Sequence, residues 1–152
     1  MSTKTITTNL PSIDVLIAAR DEENVVNTLI NKLTSIKYPE EKISFWIIDD
    51  GSEDQTSYLV EKLIKELPNF NLLKRLRNEG GGKSGALNYA LNYINNDWLL
   101  VLDADAQLQE DVLLRIILFA KNNNFSAVQL RKAVINSQMN RLTCFQSMEM
   151  AM

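Results

Sequence analysis

Residues 43–56 read ISFWIIDDGSEDQT, and this stretch decides the fold. Residues 43–48 form a short apolar run without the alternation of a strand that has one wet face, so a strand buried on both sides is expected. Asp49, Asp50, Gly51 and Ser52 stop it with turn chemistry. Helical periodicity then takes over across 54–67, and Ser52 or Asp54 can cap that helix through a side-chain oxygen. A buried strand, an acidic turn and a helix together open a β-α-β unit, because parallel strands need a crossover rather than a hairpin.

The same alternation extends in both directions. Further strands are expected at 13–18, 71–76, 98–102 and 127–130, with helices at 24–34, 84–94 and 111–122. Pro39 and Pro68 fall in connections, and Asn122 to Asn124 make a turn-like run before the fifth strand. The expected architecture is α/β: a mostly parallel, doubly wound sheet with helices on both faces. Residues 1–12 read as a polar leader and 13–152 as a single domain. From Asn140 a helical pattern returns with Leu142, Phe145, Met148 and Met152 near one face, and no stop signal follows, so the domain reads as incomplete at its carboxyl end.

Composition removes several classes of function. With 45% hydrophobic and 23% charged residues and a net charge of -3, the chain has the balance of an ordinary globular protein and no clustered basic excess for nucleic acid. Lys74, Arg75, Arg77 and Lys83 are too few for a duplex footprint and suit a single anionic ligand better. Cys144 is the only cysteine, which rules out a disulfide framework and fits a reducing compartment. Histidine is absent, so Ser-His-Asp and Cys-His mechanisms are excluded and a metal must be held by carboxylates. No apolar run approaches the ~20 residues of a spanning helix. A cytoplasmic location is expected, or the cytoplasmic face of a membrane if the chain belongs to a longer protein with later apolar segments.

Ligands of open α/β sheets bind outside the carboxyl ends of the strands, and those ends carry acids here. The first strand runs into Ala18, Ala19, Arg20, Asp21 and Glu22, and the fourth into Asp103, Ala104 and Asp105. Two carboxylates at i and i+2 can converge on Mg²⁺ or Mn²⁺, which in turn binds a diphosphate; solvated acid would look the same in sequence. Asp49 and Asp50 exceed what a turn requires: one can serve it while the other accepts from a nucleobase N–H or a ribose hydroxyl. Gly80-Gly81-Gly82-Lys83-Ser84-Gly85 invites a P-loop reading, but the glycine that motif needs falls on Arg77. What remains is a glycine-rich loop delivering Lys83 to a helix N-terminus, a place that favours diphosphate.

In order, the strings IAARDEE at 17–23, IIDDGSEDQT at 47–56, GGKSGALNYAL at 81–91 and VLDADAQLQED at 101–111 resemble the family 2 glycosyltransferases. The resemblance covers nearly everything from Ile13 onward. It implies a GT-A fold, a nucleotide-diphosphate sugar donor and transfer with inversion. By position, Ala18 to Glu22 matches the segment lining the nucleotide site, with Ala18 and Arg20 in place of the usual Pro and Tyr, so that Glu22 transfers best. Asp49 and Asp50 match the acids that bind base and ribose, Lys83 the residue that reaches the diphosphate, and Asp103 and Asp105 the D-x-D motif, with Asp105 the direct metal ligand. The string at 128–150 resembles the subgroup of cellulose synthase, hyaluronan synthase and cyanobacterial monoglucosyldiacylglycerol synthase. That similarity implies UDP-glucose as donor and a lipid or growing glycan as acceptor. The family's general base, an Asp, would come after Met152, and Asp21 and Glu149 have no positional support for the role.

Two other readings differ in class. A nucleotide-sugar-binding module without turnover would share every donor-side feature. A sugar-phosphate nucleotidyltransferase would want a glycine-rich, basic signature directly after the first strand, where this chain has acidic ARDEE.

Overall fold

The computed structural model describes residues 10–106 and 108–130. Its strands are β1 (Ile13–Ala19), β2 (Ile43–Asp50), β3 (Phe70–Arg75) and β4 (Trp98–Asp103). The helices are α1 (Val26–Thr34), α2 (Thr56–Ile64), α3 (Gly82–Ala90) and α4 (Val112–Asn122), with one 3₁₀ turn at Glu40–Lys42. All strand pairs are parallel, in the order β3-β2-β1-β4. The chain steps outward from β1 to β3 and then crosses back, laying β4 on the other side of β1. That reversal creates a switch point between β1 and β4, where open sheets take their ligands.

Each face of the sheet has its own core. The pleat sends Ile13, Val15 and Ile17 of β1 and Phe45 and Ile47 of β2 to one side, where they meet Val26, Leu29, Ile30 and Leu33 of α1, and Val60 of α2. The α1 residues recur at i, i+3, i+4 and i+7, the stripe of a helix with one buried face. Burying such side chains contributes about 1.5–3 kcal/mol each. The opposite face sends Leu16 and Ile48 against Ala86 and Ala90 of α3. Those alanines lie four residues apart, so small side chains let α3 sit close over β1 and β2.

Helix starts depart from the sequence expectation in informative ways. Neither Ser52 nor Asp54 is the N-cap of α2, which is Gln55. Asp54 Oδ1 instead accepts from the N–H of Thr56, the first helical residue, at 2.9 Å. The third helix begins at Gly82 rather than Ser84, because Gly81 adopts φ +76° and turns the glycine run into the helix. A Cβ on Gly81 would lie 2.9 Å from Gly85 Cα, so the turn is closed to larger residues by space as well as by φ.

The polar segment before β1 is tied down from Leu10 onward. Leu10 is buried, its carbonyl accepts from Lys42 Nζ, and the Pro11 carbonyl accepts from the Tyr38 hydroxyl at 2.7 Å. Burial pushes the Tyr38 phenol up to about 12, which keeps it a donor.

The residues through Ile117 form one compact unit and those from Leu118 a second. The fifth strand expected at 127–130 is not formed: these residues carry no regular structure, and all but Val128 are exposed. A strand exists only as part of a ladder, and among the described residues this segment pairs with none. The helical pattern expected from Asn140 lies outside the described residues.

Candidate functional site

Strand register assembles the site. In the parallel ladders Ala18 stands beside Asp103 on one side and Ile48 on the other, and Asp50 stands beside Arg75. Ala18, Asp50, Arg75 and Asp103 therefore share the α3 face at the carboxyl end of the sheet. A cleft of about 640 Å³ opens there, lined by Ala18, Ala19, Arg20, Glu22, Asp50, Gly82, Lys83, Asp103, Ala104 and Asp105. Six of the seven residues singled out from the sequence are on that wall, the exception being Asp49.

Asp49 points to the other side of the β2 pleat. It is buried, and its Oδ1 accepts from the Ser52 N–H at 2.9 Å, so it closes the turn after the strand. Gly51 completes the turn at φ +71°, where a Cβ would lie 2.3 Å from the Arg77 nitrogen. The division of labour between the two acids thus follows from β2 remaining extended through both.

The loops after β1 and β2 are laced together. Asp21, at φ 54°, donates its N–H to Ser52 Oγ and receives the Glu53 N–H on its carboxylate at 2.8 Å. Glu22 donates to Thr56 Oγ1, and Glu23 donates to Asp54 and accepts from the Gln55 N–H. Hydrogen bonding from Glu53, with Arg77 alongside, holds the Asp21 carboxyl below the usual carboxylate range. An acid so engaged is a poor proton acceptor for a substrate. The lacing uses the Glu22 backbone and leaves its side chain at the cleft wall.

The expectation that Lys74, Arg75, Arg77 and Lys83 suit one anion is corrected by the structure. Neighbours on a strand face opposite ways, and Lys74 turns away from the cleft to pair with Glu61 at 2.6 Å. Arg77 pairs with Asp21 and Glu53. Arg75, its side chain 5% exposed, pairs with Asp50 Oδ1 at 2.6 Å and Glu79 at 3.2 Å, donates to the Gly80 carbonyl at 3.0 Å, and lies over the Tyr89 ring at 5.9 Å. Of the four, only Lys83 lines the cleft, where its ammonium pairs with Asp103.

Arg75 was expected only as one of that basic group, and its structural role as the partner of Asp50 was missed. It joins the end of β2, the glycine loop and α3 around one guanidinium. The available signal was an arginine ending one buried strand beside an aspartate ending its neighbour, which becomes decisive only once the two strands are known to pair in register.

Asp103 and Asp105, expected from the sequence to hold a metal, both line the cleft, and among the described residues no group of three or more His, Cys, Asp or Glu side chains gathers to hold one. Two carboxylates still fit Mg²⁺ or Mn²⁺ when diphosphate oxygens and water supply the remaining ligands. The two are hard oxygen donors on the wall of one cleft, the donor type that such a cation takes. No helix among the described residues is long and apolar enough to cross a membrane.

The sequence profile of glycosyl transferase family 2 matches residues 14–143. A β-monoglucosyldiacylglycerol synthase of Nostoc sp. is 38% identical over 149 residues, covering 98% of this chain and 32% of the relative. The chain thus spans about a third of the length of that relative. Among solved structures, a Pyrobaculum calidifontis mannosyltransferase in complex with GDP-Man and Mn²⁺ superposes with a TM-score of 0.63 at 26% identity, over 70% of this chain and 31% of that one. Staphylococcus aureus TarS 1–349 in complex with UDP-GlcNAc gives a TM-score of 0.65 at 20% identity, over 82% of this chain and 38% of that one, a likeness of fold.

Proposed function

Because this chain belongs to glycosyl transferase family 2, we propose that it is the donor-binding part of an inverting, metal-dependent hexosyltransferase. In this reading it takes a hexose, glucose by similarity to the glucolipid synthase, from a UDP-sugar to a lipid or saccharide hydroxyl. The observation that carries the reading is the cleft at the β1/β4 switch point, where Glu22, Asp50, Lys83, Asp103 and Asp105 converge. Asp50 and Glu22 offer acceptors to the base and ribose, and Asp49 shapes the turn that presents Asp50. Lys83, in the first turn of α3, adds its charge to the free N–H groups and dipole of that helix end, a setting for the diphosphate. Asp103 and Asp105 would hold Mg²⁺ or Mn²⁺, which supplies charge neutralisation at the departing diphosphate.

The acceptor side belongs to the remainder of the longer protein that the coverage of its relative suggests. There we place the general base that takes the acceptor proton, together with membrane attachment at the cytoplasmic face. A second reading, a nucleotide-sugar-binding chain without turnover, is favoured by one observation. The cleft acids Asp50 and Asp103 and nearby Asp21 are each paired with a cation, which suits binding better than proton abstraction.

Calorimetric titration with UDP and UDP-glucose, with and without Mn²⁺, tests the donor site. Binding that requires the metal, and is lost in Asp105→Ala, is the expected result. Equal affinity without metal would overturn the metal assignment, and no binding under any condition would overturn the donor site. A single-turnover assay with a diacylglycerol acceptor separates the two readings when it is run on the longer protein: glucosyl transfer there supports the transferase, and none supports a binding chain.

A further inference from the structure

We infer that Lys83 acts as an internal counter-cation for Asp103, so that this carboxylate is surrendered to a divalent metal only when a diphosphate draws Lys83 away. The inference rests on the donor-site reading above and adds an order of events to it. Its basis is the direct ion pair between Lys83 Nζ and Asp103 Oδ1, both on the wall of one cleft with Asp105. The two residues lie twenty positions apart in sequence, and their meeting is a product of the fold. Glycines at φ +73°, +76° and +50° swing the chain into α3 and place Lys83 second in the helix. Register sets Asp103 beside Ala18, at the end of β4 on the α3 face.

The consequence is electrostatic. A carboxylate that already carries an ammonium gains less from a second cation, because the incoming charge must compete with Lys83 or suffer its repulsion. The pair is partly exposed, with Lys83 at 50% and Asp103 at 32%, so its strength is that of a surface ion pair and is reversible. A diphosphate at the α3 N-terminus offers Lys83 a more highly charged partner a short side-chain rotation away. Lys83 then leaves Asp103 and remains in the cleft. Metal and donor should therefore bind with positive coupling beyond what shared ligands give, and the cleft should resist divalent ions in the absence of donor. Arg20 provides an internal contrast, since it lines the same cleft but stands 3.9 Å from Asp50 rather than on Asp103.

The test follows free Mn²⁺ by electron paramagnetic resonance during titration of the chain, Lys83→Met and Arg20→Met, without nucleotide and with UDP. Lys83→Met is expected to tighten Mn²⁺ binding without nucleotide by about threefold to fivefold, the worth of an exposed ion pair. It is expected to weaken UDP binding and to reduce the Mn²⁺–UDP coupling, whereas Arg20→Met leaves Mn²⁺ affinity nearly unchanged. Equal tightening in both variants would reduce the effect to net charge and overturn the inference. So would unchanged Mn²⁺ affinity in Lys83→Met, and if the parent chain still binds UDP with Mn²⁺ in that case, the donor site stands and only the counter-cation role falls. Absence of Mn²⁺ and UDP binding in every variant would overturn both.

Discussion

The two ends of the sheet use the same residue types to opposite purposes. At the amino end, Asp14 is buried in β1 and receives Trp46 Nε1 at 2.7 Å and the N–H groups of Asn95 and Asn96 at 3.1 and 2.9 Å. Asp97 nearby accepts the Ser12 N–H and hydroxyl and returns its own N–H to Ser12 Oγ. These acids are matched by backbone and indole donors that cannot move away, and they fix the entry to β1 and β4. At the carboxyl end, Asp50 and Asp103 are matched by side-chain cations around an open cleft. A carboxylate answered by fixed donors is structural, and Asp50 approaches that state through the buried Arg75; Asp103, answered by the half-exposed Lys83, can change partners. The contrast predicts which acids can be lost without loss of fold.

The largest effect is expected from Asp14→Ala, which strands an indole N–H and two backbone N–H groups in a buried place. Unfolding in urea should show a loss of about 3 kcal/mol, while the folded fraction keeps its UDP affinity. At the other end Gly51→Ala should cost about 2 kcal/mol, because the residue must hold φ +71° against the Arg77 backbone. Impaired UDP binding there would show that the turn after β2 presents Asp50. Asp105→Ala inverts the pattern: stability should stay within about 0.5 kcal/mol of the parent, while Mn²⁺-dependent UDP binding falls at least tenfold. If Asp105→Ala unfolds the chain as Asp14→Ala does, the contrast between the ends is wrong.

The smallest effect concerns pH. The backbone N–H of Ser12, with its hydroxyl, holds the Asp97 carboxyl below its ordinary 3.8, and the Glu53 N–H does the same for Asp21. A lowered native value means stability that is present above about pH 3.8 and drains away as pH falls through the native values. Acid titration of stability should show this decline in the parent and a shallower one in Asp97→Asn, with UDP affinity at pH 7 unmoved.

The sheet order was not explicit in the sequence, yet most of its pieces were. Apolar runs ending in acids marked β1, β2 and β4, although the expected burial of both faces holds for β1 and β2 and not for β4, whose Leu99 and Val101 are exposed. The fifth strand misled because a segment as short as Ala127 to Leu130 becomes a strand only with a partner, and partnership is a tertiary fact. At the site, Asp50, Lys83, Asp103 and Asp105 stood out from their positions at strand and loop ends. Arg75 stood out only as one of a basic cluster, since its meaning lies in register with Asp50 and in its contact with the Gly80 carbonyl. The basic cluster dispersed for a related reason: Lys74 and Arg75 are adjacent in sequence and opposite in space.

By itself the sequence determined the fold class, the identity of the strand-end acids and the glycine loop, because hydrophobic period and turn chemistry are local properties. Tertiary structure decided the partners. It separated Asp49 from Asp50 across a pleat, closed Arg75 around Asp50 and seated Lys83 on Asp103. Side-chain direction and pairing depend on which strands lie side by side and in what register, and no residue carries that information alone.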